Sequence, residues 1–426
     1  MIICQILKVC IMKFNVVEFF VGAGGSHLGF MQNGFNTLYV NDNDIEALKT
    51  LKYNNAMHLQ NAIIDSSDIT KIDPQELRKS IKDDIDVCFA GIVCKGFSLA
   101  GEKNPNDERN FYYKSYLSII KELQPRISII ENVKGMLNAR ILNSKTPKNI
   151  LEEVDILWQE MENYKGRKAD FRKKNVITQE FENYGKELRI KKQKVLQKIE
   201  KYMISVLEDI IDIYNEIGYR VDYKILNAAW YGSSTKRERL IIVATRKDIK
   251  NSYEFPKPIY HNDEIVTKLD FDNIQNMKFK QPISIRESLS KIDYLKEDFD
   301  NEPMKHNEKT IERFQYIKAG SNISECIDEL PQELRISKFY SRGNTMRLHF
   351  DKLAPTLVPG HSNFPIHPIE HRSITVREAA VITGFPLDYK FFGSHSKRCE
   401  QVGNAVPPPL SYAIAKSVKN FLETLK

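Results

Sequence analysis

Cys94 lies in Ala90-Gly91-Ile92-Val93-Cys94-Lys95-Gly96-Phe97-Ser98, where an apolar run gives way to glycines. A thiol just past a buried strand, in a loop beside a lysine, is favoured as the thiolate, the nucleophilic form. Cys88, inside the apolar run, reads instead as a small buried hydrophobe. Glu131 ends the run Ile129-Ile130 and precedes Asn132-Val133. A carboxyl there is partly desolvated, so it can be held protonated and donate to a ring nitrogen. Thr235-Lys236-Arg237-Glu238-Arg239 places Arg237 and Arg239 on one strand face. They form either a grip on a base oxygen or phosphate, or a surface charge ladder. Phe20-Val21-Gly22-Ala23-Gly24-Gly25 follows a strand-like run, and Asp42 ends the next one. Glycines let backbone approach a ligand, and the acid accepts ribose hydroxyls; a dinucleotide or S-adenosylmethionine would suit. Asp68-Ile69 adds a carboxylate for an adenine amino group or, more simply, a helix N-cap.

These residues need elements to carry them. Phe14–Val21, Leu38–Val40, Ile85–Phe89, Arg126–Ile130, Val221–Asn227 and Arg239–Thr245 are β-branched or apolar runs that predict strands. The helical spacing of Tyr113–Leu123 falls between two of them. Such alternation predicts an α/β domain with a mostly parallel sheet, whose strand carboxyl ends form the ligand crevice. Residues 141–210 interrupt the rhythm with long, polar, helix-prone sequence, and 161–200 carries 12 basic against 6 acidic residues. A solvated helical insertion is the plain reading, and a clamp on phosphate backbone the sharper one. From about 250 to 372 the alternation is lost and Pro, Gly, His and Asn become frequent. Gln401-Val402-Gly403-Asn404-Ala405-Val406-Pro407-Pro408-Pro409 reads as a stiff loop before an amphipathic helix, Ala413–Leu425.

The chain has 426 residues, 42% hydrophobic and 28% charged, which describes a folded protein of two or three domains and excludes a disordered or fibrous one. Its net charge of +7 permits a polyanionic partner without requiring one. The six cysteines form no CxxC pair, so neither a zinc site nor a disulfide framework is expected. The apolar stretch Met1–Ile11 lacks a small-residue cleavage site, and Met12 is a second candidate start. No run reaches the length of a spanning helix, and a cytoplasmic protein without membrane contact is expected.

Taken in order, these segments resemble the DNA cytosine-5 methyltransferase family of bacterial restriction-modification systems. Glu18 to Gly25 resembles its first motif, Asn41-Asp42-Asn43-Asp44 the second, and Asp68-Ile69 the third. The Cys94 loop resembles the Pro-Cys-Gln motif, Glu131-Asn132-Val133 the Glu-Asn-Val motif, and Thr235 to Arg239 the Gln-x-Arg-x-Arg motif. Arg377-Glu378-Ala379-Ala380 with Gly384-Phe385-Pro386 resembles the ninth motif, and Gly403-Asn404-Ala405-Val406-Pro407 the tenth. The match spans residues 14–426 outside the 141–210 insertion. Val93, Lys95 and Thr235 depart from the family's Pro, Gln and Gln.

The resemblance implies a Rossmann-like S-adenosylmethionine-dependent methyltransferase sheet with a second, smaller target-recognition domain. The expected layout is a catalytic domain over 12–250, a recognition domain over 251–372 and a return to the catalytic domain over 373–426. Cys94, Glu131, Arg237 and Arg239 are expected to be catalytic. Phe20, Gly22, Ala23, Gly24, Gly25, Asp42, Asn43, Asp68, Ile69, Asn404, Ala405 and Val406 would bind S-adenosylmethionine, which leaves as S-adenosylhomocysteine. Lys95, Ser98, Arg342 and Arg347 would meet DNA, arginine being the usual reader of guanine, with His349 and His361 nearby; no metal is needed. The implied partners of this monomer are double-stranded DNA and, acting on the same site, a cognate restriction endonuclease. Two alternatives stay open: a transfer-RNA cytosine-5 methyltransferase, which the long 250–372 region disfavours, and a non-catalytic DNA-binding relative. A nicotinamide-dependent dehydrogenase would leave Cys94, Glu131 and the arginines without a shared role.

Overall fold

The computed structural model describes residues 14–92, 104–174, 176–272, 274–336, 343–358 and 364–425. Its centre is a seven-stranded sheet ordered β3-β2-β1-β4-β5-β9-β8. The strands are β1 (Phe14–Phe19), β2 (Phe35–Asn41), β3 (Ile63–Asp65), β4 (Val87–Gly91), β5 (Ile127–Val133), β8 (Tyr219–Asn227) and β9 (Glu238–Arg246), while β6 (Arg140–Leu142) and β7 (Met203–Ser205) form a separate antiparallel ladder. β3, β2, β1, β4 and β5 pair in parallel, and β9 joins β5 and β8 antiparallel. Each strand in the sheet's middle is buried on both faces, which is why these runs are apolar throughout rather than alternating.

From β1 the chain crosses to β2 on one side, and later to β4 on the other. The order therefore reverses between β1 and β4, and a crevice opens at their carboxyl ends. Helix α1 (Gly25–Gln32) leaves β1, α2 (Ile45–Asn54) leaves β2, α3 (Pro74–Ser80) precedes β4, and α4 (Tyr112–Leu123) leads into β5. Asp44 and Asp73 cap α2 and α3 by accepting two backbone N–H groups each.

The polar insertion is a helical hairpin, α5 (Lys148–Lys174) against α6 (Gln179–Ile199), standing on the β6–β7 ladder. Its own small core holds Leu142, Ile150, Val154, Leu157, Trp158, Leu188, Val195 and Ile199. The hairpin closes at Ser205, earlier than the expected 210. Helix α7 (Val206–Glu216) already packs Val206, Leu207, Ile210 and Tyr214 against the main sheet.

Beyond β9 the described residues before 373 form two short α-helices, α8 (Ile285–Leu289) and α9 (Glu308–Gln315), among 3-10 turns. Ile249, Tyr253, Ile265 and Leu353 join the core of the main sheet, and Ile285, Leu289 and Ala354 pack with later helices. A core separate from the sheet forms around Phe314, Ile317, Ile323, Leu330 and Leu334, with Ile366. The chain then returns through α10 (Val376–Thr383), α11 (His395–Asn404) and α12 (Pro408–Glu423). α12 begins five residues earlier than its apolar pattern suggests, because Pro408 and Pro409 occupy the first helical turn, where a missing N–H costs nothing. It packs along α1, and a methyl at Gly29 would stand 2.3 Å from the backbone carbon of Ser411.

Candidate active site

The turn after β1 is held in unusual backbone. Phe20, Gly22 and Gly24 have φ of 52°, 54° and 94°, all left-handed. Phe20 is the one that bears a side chain, and such a conformation costs about 1–3 kcal/mol. Its ring stacks on Tyr112 at 6.1 Å between centroids. The glycines divide by what surrounds them. A methyl at Gly24 would meet Leu51 at 2.6 Å and the Tyr389 hydroxyl at 2.7 Å, and one at Gly25 would stand 2.2 Å from the Val406 carbonyl oxygen. Gly22 faces open space, with nothing within 4 Å. Gly24 and Gly25 are glycines for packing, and Gly22 is the one aimed outward. Tyr389 Oη donates to the Ala23 carbonyl at 2.5 Å, fastening the turn to the segment after α10. No sequence pattern marked Tyr389.

Asp42 accepts from Gly22 N and Asp44 N, at 2.8 Å each. Burial pushes its carboxyl above the usual range, and the two amide hydrogen bonds oppose that. Its geometry is thus set by the turn it serves. Asn43 is exposed beside it. Asp68 Oδ1 accepts from Thr70 N at 2.9 Å and Thr70 Oγ1 at 2.7 Å, so it is a cap, as the plain reading had it. Ile69 is buried in the core cluster beneath the sheet.

The other side of the crevice belongs to β4, β5 and β9. Glu131 is 7% exposed, and its Oε1 lies 2.7 Å from Arg239 Nε. Arg239 opposes Val133 in the β5–β9 ladder, two pairs from Glu131 and so on the same face. Arg237 is not a second arm of that grip. Its Nη1 donates to the carbonyls of Gly403, at 2.7 Å, and Leu357, at 3.3 Å. Burial and the neighbouring Arg239 charge hold its pKa well below the usual arginine value. Its Nε is buried without a partner among the described residues. Asn132 Nδ2 donates to the Ile92 carbonyl at 3.3 Å, bracing the chain where it leaves β4. Thr235 Oγ1 donates to Pro355 O at 2.8 Å, serving as a tie between segments.

The segments meet at Gly91. A methyl there would stand 3.4 Å from Phe20 O, 3.7 Å from Glu131 Oε2 and 3.8 Å from Val406 Cγ2. The glycine turn, the Glu131 strand end and the Asn404-Ala405-Val406 segment thus surround the end of β4, three residues before Cys94. Asn404 is exposed there, and Ala405 and Val406 are buried. Cys94, Lys95, Ser98, Arg342 and His361 lie outside the described residues. A groove of about 720 Å³ between α12 and residues 251–259 contains none of the residues named for the site.

Arg347 does not reach a base. It is 3% exposed, and all five of its N–H groups are spent: on the carbonyls of Ile317, His367, Glu370 and Phe314, each at 2.7 Å, and on His371 Nδ1 at 3.1 Å. It is the internal tie beside the small core around Phe314, Ile317 and Ile366. Arginine in an irregular, polar stretch suggests a surface reader, but carbonyls released from regular pairing also need donors.

A mainly parallel sheet with its crevice at the β1/β4 reversal, a glycine turn after β1 and an acid just past β2 make a Rossmann-like nucleoside-binding fold. The model of the C-5 cytosine-specific DNA methylases matches residues 14–185 and 193–420, and the chain belongs to that family. It is 25% identical over 439 residues to the type II methyltransferase M.DdeI of Desulfomicrobium norvegicum, covering 96% of this chain and 90% of that one. It is 26% identical over 422 residues to M.Eco47II of Escherichia coli, covering 97% and 80%. Among solved structures, a protein described as an E. coli prophage DNA modification methyltransferase superposes with a TM-score of 0.61, at 19% identity over 96% of this chain and all of that one. The S. pombe Dnmt2 methyltransferase superposes with a TM-score of 0.55, at 13% identity over 97% of this chain and all of that one. The chain is a DNA cytosine-5 methyltransferase.

Proposed function

We propose that the enzyme methylates C5 of a flipped-out cytosine in a specific double-stranded DNA sequence, using S-adenosylmethionine and a transient covalent bond between Cys94 and C6. The observation that carries this reading is the convergence at Gly91 of Phe20, Glu131 and Val406, three residues before Cys94 in the chain. The cofactor fits the residues present: Gly22 leaves open space in a turn whose other glycines are filled by protein, and Asp42 is fixed beside it. Phe20, Gly22, Ala23, Asp42, Asn43, Asp68, Ile69 and Asn404 to Val406 would hold it, with Gly24 and Gly25 shaping the turn. When bound, it supplies an electrophilic methyl group.

The remaining steps fall to the chain's own residues. Unstacking the target base costs about a few kcal/mol, recovered by contacts in the pocket. The Cys94 thiolate forms a bond to C6 and makes C5 electron-rich, while Glu131, oriented by Arg239, hydrogen-bonds N3 and the exocyclic amine. After C5 gains the methyl group it loses its proton to a base, taken to be water, and the Cys94–C6 bond breaks to restore the ring. The unpartnered Nε of Arg237 is a donor left over for the pocket. We read residues 251–372 as the target-recognition region. The enzyme acts as a cytoplasmic monomer, the modification partner of an endonuclease cutting the same site. No described helix is long and apolar enough to cross a membrane.

Incubation with tritiated S-adenosylmethionine and genomic DNA, and then with 5-fluorocytosine duplexes, tests the reading. Label in DNA and a covalent adduct are expected. DNA binding with neither label nor adduct would favour the non-catalytic relative.

A further inference from the structure

The α5–α6 hairpin carries its charge unevenly. Its root is acidic, with Glu152, Glu153, Asp155, Glu160 and Glu162 on α5, whereas residues 165–174 hold six basic residues and one acidic. The root acids are engaged: Glu160 pairs with Lys191 at 2.9 Å, Glu153 with Lys198 at 2.5 Å, and Asp155 accepts from Asn106 at 2.9 and 3.0 Å. α6 lysines near the root are thereby neutralised. Towards the tip that compensation fails. A cavity of about 330 Å³ opens between the helices, lined among others by Tyr164, Lys165, Lys168, Arg172, Gly185 and Arg189. Lys168 pairs with Glu182 at 2.7 Å, and the same glutamate feels both Arg172 and Arg189. Across the tip, residues 165–189 hold eight basic against four acidic residues. Partial burial, and after it the neighbouring Lys192 charge, lowers the Lys165 pKa. Gly185 lets α6 pack closely over Tyr164 beside the cavity: a methyl there would overlap the Tyr164 ring, 2.1 Å from its hydroxyl.

The hairpin's position gives this cluster an address. It springs from β6, seven residues past the end of β5, so its root stands on the same sheet edge as Glu131. Leu142 N donates to Pro105 O, and with the Asn106–Asp155 contact this fastens the root to residues 105 and 106, which follow the Cys94 loop in the sequence. At about 1.5 Å per residue, the cavity lies about 20–36 Å along α5 from the root. One turn of duplex DNA is about 34–36 Å.

We propose that the hairpin tip is a second DNA contact, in which Arg172, Arg189 and Lys168 bind the phosphate backbone up to about one helical turn from the flipped cytosine. The contact carries no base information; it adds affinity and register to the site described above, and it rests on that reading of the substrate as DNA. Each phosphate neutralised releases counterions, so it adds about 0.9 to the slope of log affinity against log salt.

The test compares the full-length protein with R172Q/R189Q, both positions being exposed, on random-sequence duplexes of about 40 and about 12 base pairs. On the long duplex the variant's salt slope should be shallower by about 2, which is about 0.9 for each of two contacts; on the short one the slopes should agree. Ala169→Glu, an exposed change lining the same cavity, should weaken long-duplex binding without altering helix content by circular dichroism. Equal slopes on the long duplex overturn the proposal. A 5-fluorocytosine adduct assay on long genomic fragments amplified with the 5-fluorocytosine nucleotide runs alongside. An adduct with equal slopes refutes the hairpin contact alone, whereas a missing adduct in both proteins refutes the catalytic reading and leaves the slopes decisive for the hairpin.

Discussion

Cys94 and Cys88 stand six residues apart and show what position does to a thiol. Cys88 is fully buried in β4, and burial pushes its thiol far above the usual range, which leaves it inert. Replacing Cys94 with Ser should abolish methyl transfer while DNA binding persists; retained turnover would remove it from the mechanism. Lys95 sits where the family has a neutral amide. If it promotes the thiolate, Lys95→Gln should shift the Cys94 alkylation profile to higher pH, and an unmoved profile rules it out. Glu131→Gln keeps the shape but loses the charge paired with Arg239, and should lower kcat by about 10²–10⁴ with cofactor affinity unchanged. Residue types alone singled out Glu131, Arg237 and Arg239 as candidates, and the structure brings Glu131 and Arg239 together as an ion pair. The types did not separate Arg237 from Arg239, since both share a face and only the later segments at Leu357 and Gly403 decide where Arg237 turns.

Among the elements, the strands and α4 were legible to within a few residues, because buried runs are apolar whatever their neighbours. The glycine turn was legible as a turn but not by function. Which glycine faces ligand and which faces protein depends on α12 and Tyr389, more than 350 positions away. Gly25→Ala would drive a methyl into the Val406 carbonyl. Such overpacking costs about 1–3 kcal/mol, so a lower melting temperature is expected, together with weaker S-adenosylmethionine binding by calorimetry. Gly22→Ala meets open space and should spare more packing, but its φ of 54° disfavours any side chain. Comparable destabilisation with intact cofactor binding at Gly22 would reverse these assignments.

Across the whole molecule, β1, α1 and the end of α2 are joined by a buried chain of groups: Glu18 Oε1 to His27 Nδ1 at 2.7 Å, His27 Nε2 to His58 Nδ1 at 3.2 Å, and His58 Nε2 to the Phe35 carbonyl at 2.9 Å. Burial and His27 hold the His58 pKa below its usual value. The unfolded imidazole takes up its proton near pH 6.5, the folded one only at lower pH. The stability contributed here is therefore complete above about pH 6.5 and falls as the pH drops below it. His58→Asn should flatten thermal stability between pH 7 and 5; an unchanged dependence assigns the acid sensitivity elsewhere. The 141–210 insertion was legible as helical and basic. Its cross-hairpin pairing was not, because one helix's charges do not reveal which the other cancels. Removing 161–200 should reduce the salt dependence of DNA binding while methyl transfer on short duplexes continues.

The contact of Gly25 with Val406 also orders events in time. A ribosome makes the glycine turn nearly four hundred residues before the segment that closes against it. A chain still being synthesised therefore has Cys94, Glu131 and the turn, but not yet the Val406 segment that closes against Gly25. Activity arrives with the last helices, so prematurely terminated chains should leave the cell's DNA unmarked.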